Sequence, residues 1–480
     1  MRKTKSEELP LQSLVLEQPS RGWLSLVREA LYGSRQDFTE GPIGRAIVLL
    51  SVPMVMELVL EYLFALVSIL LVLGLGADAV ATVGITESLL SLIYAVAMGL
   101  SIGASAMVSR RVGERELERA SRTAVQALVL CVLVAVPITA AGIAFARPLL
   151  RAMGASEWVV VHGASFTQVM MGSTASIMLL YVINAIFRSA GDAVIAMRVL
   201  WLANLVNLVL APCLIFGVGP LPELGVLGGA VAIVIGRSVG VLYQLYALTR
   251  GTGRVPLRRH HLVLEARTML AMLRLSGSAI IQMLVDSASW LLLMRIISSF
   301  GSAAVAGYAI TMRVILLALL PSFGVSNAVS TLVGQNMGAG KLERAEQVVR
   351  RAGLYNVLFA GLVGVCLALL AEPLVHVFTQ ESEVATTATT GLRIVSCGFF
   401  FFSYGMVLLR ALNGAGDNLL PSVLSVFCFW GLELPLAYVL SHPLGLGPTG
   451  VFLAIAVAFG VLTAGCAAIF QRGRWKTQRA

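Results

Sequence analysis

Residues 59–74 read VLEYLFALVSILLVLG, an apolar run broken by one ionisable side chain, Glu61. Extended back to residue 45, the run exceeds the roughly 20 helical residues that cross a bilayer core. Eleven further runs of this kind lie near 82–108, 121–147, 157–183, 196–218, 227–249, 270–298, 306–333, 352–371, 385–410, 419–441 and 448–471. Together they account for a chain of 480 residues that is 58% hydrophobic and only 12% charged. Its mean hydropathy is +0.88, far above that of a soluble globular domain. The runs are long and continuous rather than short and alternating, which favours helices over barrel strands. The expected fold is therefore all-α: a polytopic membrane protein with twelve transmembrane helices.

The formal charge of +10 does not require a nucleic-acid partner, because the basic residues fall where membrane topology places them. An even number of spans leaves both termini on one side. That side collects the basic N-terminal segment, 109–122 (SRRVGERELERASR), 250–261 (RGTGRVPLRRHH), 340–351 (GKLERAEQVVRR) and the tail QRGRWKTQRA. The opposite loops hold Arg147 and Arg151 beside Asp78, Glu157, Glu223, Glu372, Glu381 and Glu383. Lysine and arginine bias orients membrane proteins, so both termini are expected in the cytoplasm of a plasma-membrane protein. The cysteines (131, 213, 366, 397, 428, 466) sit in or at the ends of apolar runs without ligand-like spacing, and free thiols are expected. His260 and His261 lie in a basic loop and read as solvated surface, so no metal is expected. Residues 1–40 contain no uninterrupted apolar stretch, so no cleaved signal peptide is expected and the first span acts as the anchor. Within that segment GWLSLVREALYG (22–33) places Trp23, Leu24, Val27 and Leu31 on one helical side. A helix lying on the membrane surface and a disordered tail both fit.

The chain also repeats itself. At a constant spacing of 225 residues, GADAVATVGIT (76–86) lies over GSAAVAGYAIT (301–311), VGERELERA (112–120) over MGAGKLERA (337–345), and FRSAGD (187–192) over LNGAGD (412–417). Each half holds six spans and enters the membrane in the same sense, so the halves should be two six-helix bundles related by an axis along the membrane normal. The expected organisation is a cytoplasmic segment at 1–44, the N-terminal bundle at 45–250, a cytoplasmic linker at 251–268, the C-terminal bundle at 269–471 and a tail at 472–480. Such double bundles bind substrate at their interface and alternate its access. The sequence contains no HExxH or GxxxxGK[ST] motif, so neither an enzyme nor an ATP-driven pump is expected. No cofactor is expected, and an ion gradient remains as the energy source.

The same spacing places Glu61 over Asp286 (286 − 61 = 225) and Glu57 over Gln282. Each first span thus carries a polar pair one helical turn apart on one face. A carboxylate at bilayer depth costs about 2.5–3.5 kcal/mol on insertion scales, which demands a cavity or a partner. The bland reading is an ion pair with an intramembrane arginine, such as Arg237 for Glu61. Glu433, on the eleventh span, reads as the partner of Arg237 or Arg393, while Arg295 and Arg313 also fall within spans. The symmetric placement of Glu61 and Asp286 favours a cavity. Two carboxylates a turn apart, Glu57 and Glu61, disfavour double ionisation, so this pair is expected to load and release a proton.

Pro53, Gly76 followed by AVATVGI, VGERELERA with Gly113, and FRSAGD repeated as LNGAGDNLLP together resemble the multidrug and toxic compound extrusion (MATE) family over about residues 45–470. The resemblance implies a V-shaped pair of six-helix bundles exporting organic cations in exchange for protons or sodium. Its functional residues transfer unevenly. The resemblance implies an aspartate fifteen residues after Pro53, where this chain has Ser68 (68 − 53 = 15). It implies an Asn and an acid on span five, where the chain has Asn207 but Ala211, and an acid on span ten at Phe402. Asp286 matches the acidic residue of span seven, and Glu61 is placed to compensate for Ser68.

The sequence thus points to a cation-coupled exporter of amphipathic organic cations, acting as a monomer among membrane lipids. The first site residues are Asp286 and Glu61, followed by Glu57, Gln282, Ser68 and Asn207. Tyr62, Trp290, Phe401 and Phe402 are aromatic candidates for stacking on a flat cation. The alternative is a flippase or exporter of lipid-linked or anionic substrates, which requires Arg237, Arg313 or Arg393 to line the cleft.

Overall fold

The computed structural model describes residues 22–34, 36–218, 222–251 and 253–478. Among these residues all regular structure is helical. A surface helix, Trp23–Tyr32, precedes the spans, so the amphipathic segment is helical; Arg45 ties it down by pairing with Glu29 at 2.7 Å. The N-terminal half runs through α1 (Ile43–Leu73), α2 (Ala77–Gly113), α3 (Leu117–Ala144), α4 (Ala164–Ala190), α5 (Ala193–Phe216) and α6 (Val226–Arg250). The C-terminal half follows as α7 (Ala266–Ser298), α8 (Ser302–Gly338), α9 (Leu342–Leu369), α10 (Ser382–Cys397 and Phe399–Gly414), α11 (Leu419–Ser441) and α12 (Pro448–Gln471). Eleven of these are continuous and long enough to span, and α10, bent by 54° at Gly398, completes twelve.

The largest departures from the sequence reading are at the fourth and ninth spans. The fourth span begins at Ala164 rather than 157, because Ser156 caps a separate short helix, Glu157–His162, that ends at Gly163. It then runs to Ala190, carrying Arg188 inside the helix rather than beyond it. Likewise 340–351 is not a loop: most of it is the first turns of α9, where Arg350 pairs with Glu346 at 2.6 Å. Helices with charged first turns continue past the hydrocarbon, and an apolar window cannot see that extension.

The repeat is visible as matched turns and matched close contacts. The glycine–aspartate turns after α4 and α10 place Gly191 at φ 92° and Gly416 at φ 85° (416 − 191 = 225), a conformation that costs any residue with a Cβ. At the bundle interface a Cβ on Gly99 of α2 would lie 2.6 Å from the Ile280 nitrogen of α7. Its repeat equivalent, Gly324 of α8, would approach the Cα of Val55 in α1 to 2.9 Å. Ile280 and Val55 are themselves repeat equivalents (280 − 55 = 225). Further along, a Cβ on Gly113 would overlap the Gln335 carbonyl and one on Gly338 the Arg110 carbonyl, again an equivalent pair. These contacts close the seam between the halves toward the ends of α2 and α8 that carry the basic loops. Near it Ser105 and Ser189 share a hydrogen bond of 2.6 Å, and Gln335 Nε2 donates to the Ser189 carbonyl at 2.7 Å.

The hydrophobic cores cross the repeat boundary for the same reason. Ile47, Leu50 and Met54 of α1 are buried with Val329 and Leu332 of α8. Met272 of α7, the repeat equivalent of Ile47, is buried in the N-terminal core. Helices α1 and α7 thereby straddle the interface, which carries their polar faces between the bundles. Because the seam has no room for a Cβ, Gly324→Val should lower the thermal unfolding temperature of the purified protein by several degrees, an overpacking cost of about 1–3 kcal/mol. Gly84→Ala, at a helical glycine with nothing within 4 Å of the new Cβ, should leave it unchanged. Equal melting of the two variants would refute the seam.

Candidate functional site

Where α1 and α7 straddle the interface, a cavity of about 490 Å³ lies between the halves. Its charged lining consists of Glu57, Glu61, Asp286 and Glu433 with Arg188 and Arg410. Phe323, Phe402, Phe459, Trp290, Met98 and Met406 supply much of the apolar wall. Phe402 is the hub of the aromatic part, 4.4 Å from the ring of Phe459 and 5.9 Å from that of Phe323 at a near-perpendicular 84°. Apolar walls with a few convergent polar groups are the usual form of a small-molecule site.

In the N-terminal half the two glutamates are treated differently. Glu57, buried, accepts from Arg188 Nη1 at 2.5 Å and from Asn184 Nδ2 at 3.2 Å. Gln244 Nε2 in turn donates to Asn184 Oδ1 at 2.7 Å, tying α6 to the network. Glu61, one turn along, accepts instead from the Tyr181 hydroxyl. Glu57 and Glu61 therefore do not form the isolated repelling pair read from the sequence, because an arginine of α4 is seated on one of them. The arginine suggested for Glu61 is also elsewhere: Arg237 Nη2 donates to the Tyr94 hydroxyl at 2.7 Å, with its guanidinium 5.7 Å from that ring.

In the C-terminal half neither cavity carboxylate, Asp286 or Glu433, is in an ion pair with a described residue. Asp286 lines the cavity with Oδ1 buried and unbonded, and Gln282, one turn before it, is buried with both amide atoms unbonded. Glu433 accepts from Ser289 Oγ at 2.8 Å. It lies at the end of a π-helical stretch of α11, Val426–Glu433, and such widened turns concentrate at functional sites. The widened turn is anchored to α7 by Trp430 Nε1, which donates to the Val285 carbonyl at 3.2 Å. Glu433 is thus a cavity residue and not the partner of Arg237 or Arg393. Arg393 instead lies 3.7 Å from Glu372.

Of the residues proposed from sequence, Glu57, Glu61, Gln282, Asp286, Trp290 and Phe402 line the cavity. Ser68, Asn207 and Tyr62 do not. Asn207 is buried against α6, where Gly236 approaches its backbone, and Tyr62 turns its hydroxyl to the Arg313 carbonyl at 3.5 Å. Phe401 is 54% exposed on the outside of α10. None of Arg237, Arg313 and Arg393 lines the cavity. The arginines that do, Arg188 and Arg410, escaped the sequence reading because both fell at or past the ends of the expected spans. Their signal was position: each stands shortly before a glycine–aspartate turn, so each is still helical.

The MatE family profile matches residues 53–213 and 278–439, one block in each half. The chain is similar to YoeA, a probable multidrug resistance protein of Bacillus subtilis, at 27% identity over 87% of this chain and 91% of the relative. It is similar to a probable multidrug resistance protein, NorM, of Thermotoga maritima, at 26% identity over 90% and 93%. Among solved structures, a MOP superfamily transporter from Pyrococcus furiosus, described as having a binding pocket of reverse polarity, superimposes with a TM-score of 0.86. Its identity is 25%, and the match covers 93% of this chain and all of that one.

Proposed function

We propose, on the premise that this chain belongs to the MatE family of membrane transporters, that it exports amphipathic organic cations in exchange for protons or sodium. The observation that carries the reading is Asp286: a cavity-facing carboxylate with a buried, unbonded oxygen, beside a glutamine whose amide is also unbonded. A carboxylate oxygen buried without a hydrogen bond is costly, and a bound cation or proton relieves that cost. Glu433 and Glu61 extend the same negative wall, while the aromatic cluster around Phe402 takes the flat apolar body. One occupant must leave before the other binds, which is the minimal antiport device. Such proteins move cargo rather than convert it.

The seam is closed at the basic-loop end, so the cavity in this conformation belongs to an outward-facing state of a plasma-membrane protein with cytoplasmic termini. Arg259→Cys, in an exposed turn of the linker and in a cysteine-free background, should resist a membrane-impermeant maleimide applied to intact cells and react after permeabilisation. Labelling of intact cells would reverse the topology. The transport reading itself is tested by exchange of a fluorescent organic cation in proteoliposomes under separately imposed pH and sodium gradients. Movement under either gradient supports it, and movement under neither refutes it.

A further inference from the structure

Arg188 and Arg410 are not repeat equivalents: at the 225-residue spacing they fall on Asn413 and Ala185. Each half thus contributes one arginine independently to the same cavity. Both stand on the cavity side of the closed seam. Arg188 adjoins Ser189, which bonds Ser105, and Arg410 lies one turn before Gly414, whose Cβ position is filled by the Ser330 backbone. They form the floor of the cavity.

The two guanidinium groups differ in what they hold. Arg188 donates to Glu57 at 2.5 Å. Arg410 makes no hydrogen bond and no ion pair with any described residue, and its Nε is buried and unbonded. The charged groups within its electrostatic reach are Asp286, which attracts it, and Arg188, which repels it. Two guanidinium groups facing one cavity repel each other and are relieved by an anion between them, which each can grip with paired N–H donors. The cavity still holds more carboxylates than arginines, so a purely anionic ligand would meet Glu61, Asp286 and Glu433. A ligand carrying both charges satisfies both ends.

We propose that Arg410, supported by Arg188, forms an anion subsite on the cavity floor, so that the preferred substrates are zwitterionic amphipaths with a carboxylate on the arginines and a cationic group toward Asp286 and Glu433. The inference rests on the cavity being the substrate site. The anionic group belongs to the substrate itself, and a lipid phosphate at the same floor is the other source of this chemistry.

The test uses a matched pair of dyes: rhodamine B, whose free benzoate makes it a zwitterion, and rhodamine B ethyl ester, a cation with the same body. Binding is read by fluorescence anisotropy on detergent-purified full-length protein, at a pH where the benzoate is ionised. The acid should bind wild type about tenfold more tightly than the ester, the scale of a charge-assisted bidentate contact. Arg410→Gln should move the two dyes in opposite directions, weakening the acid and strengthening the ester, a result no folding defect produces. Arg410→Lys, which keeps the charge without the planar fork, should retain part of the preference and decides the matter if the glutamine variant does not fold. Equal affinity of the two dyes for wild type, or parallel changes of both in the variants, overturns the subsite while leaving the exporter reading intact. A preference for the acid that vanishes when phosphatidylglycerol is added assigns the floor to a lipid head group and overturns the substrate class. Binding of neither dye overturns the subsite and the cavity together.

Discussion

Asp286→Asn should abolish gradient-driven export in proteoliposomes while leaving the protein inserted and monodisperse. The amide keeps the volume of the side chain, so the packing of α7 against α2 and α11 is preserved. It cannot alternate between a charged and a neutralised form, so a cation gradient no longer exerts force on the cavity. Helix α7 carries this residue one turn from Gln282, whose amide atoms are also unbonded, and no arginine is seated on Asp286 as Arg188 is on Glu57. The expected efflux of a fluorescent cation is that of empty liposomes. Glu433→Gln should slow transport by a smaller factor, because Ser289 already bonds that carboxylate at 2.8 Å. A wild-type rate for Asp286→Asn would remove it from the coupling mechanism.

Removing Arg188 should do a different kind of damage. In Arg188→Leu the buried Glu57 keeps only the hydrogen bond from Asn184 at 3.2 Å, and stranding one member of a buried ion pair costs about 3–5 kcal/mol. The variant should therefore unfold far below wild type in a thermal ramp of the purified protein. Adding Glu57→Gln to the same chain should restore most of the loss, because the charge left without a partner is removed with it. The cycle is diagnostic: independent, additive effects of the two substitutions would show that the 2.5 Å pair is not an energetic unit.

The fold was legible in the sequence because membrane helices and repeats leave strong one-dimensional traces. The 225-residue register that aligned FRSAGD with LNGAGD reappears as matched turns at Gly191 and Gly416 and matched contacts at Gly99 and Gly324. The inward placement of Glu57, Glu61, Gln282 and Asp286 followed from the same register, because repeat symmetry puts equivalent faces of α1 and α7 on the interface. What was not legible depended on parts of helices that apolarity does not mark. Arg188 sits in an extension of α4 past the hydrophobic run, so it was not available as a partner for Glu57. Arg410 stood at the last residue of its expected span and read as an end rather than a lining. Glu433 acquires its position through a π-helical turn in α11, a register change that residue spacing does not announce. Ser68 and Asn207 were carried by resemblance, and the cavity is built without them.

The central claim is that coupling cation and substrate compete for the same carboxylates, and equilibrium binding tests it without transport. The affinity of the purified protein for rhodamine B ethyl ester is measured across about pH 5 to 9 at several sodium concentrations, a range that brackets protonation of buried carboxylates. Competition predicts that raising the concentration of one of the two ions weakens dye binding and, by linkage, that adding dye expels that ion. In Asp286→Asn the dependence should disappear. Dye affinity that stays constant against both ions in wild type would contradict the claim.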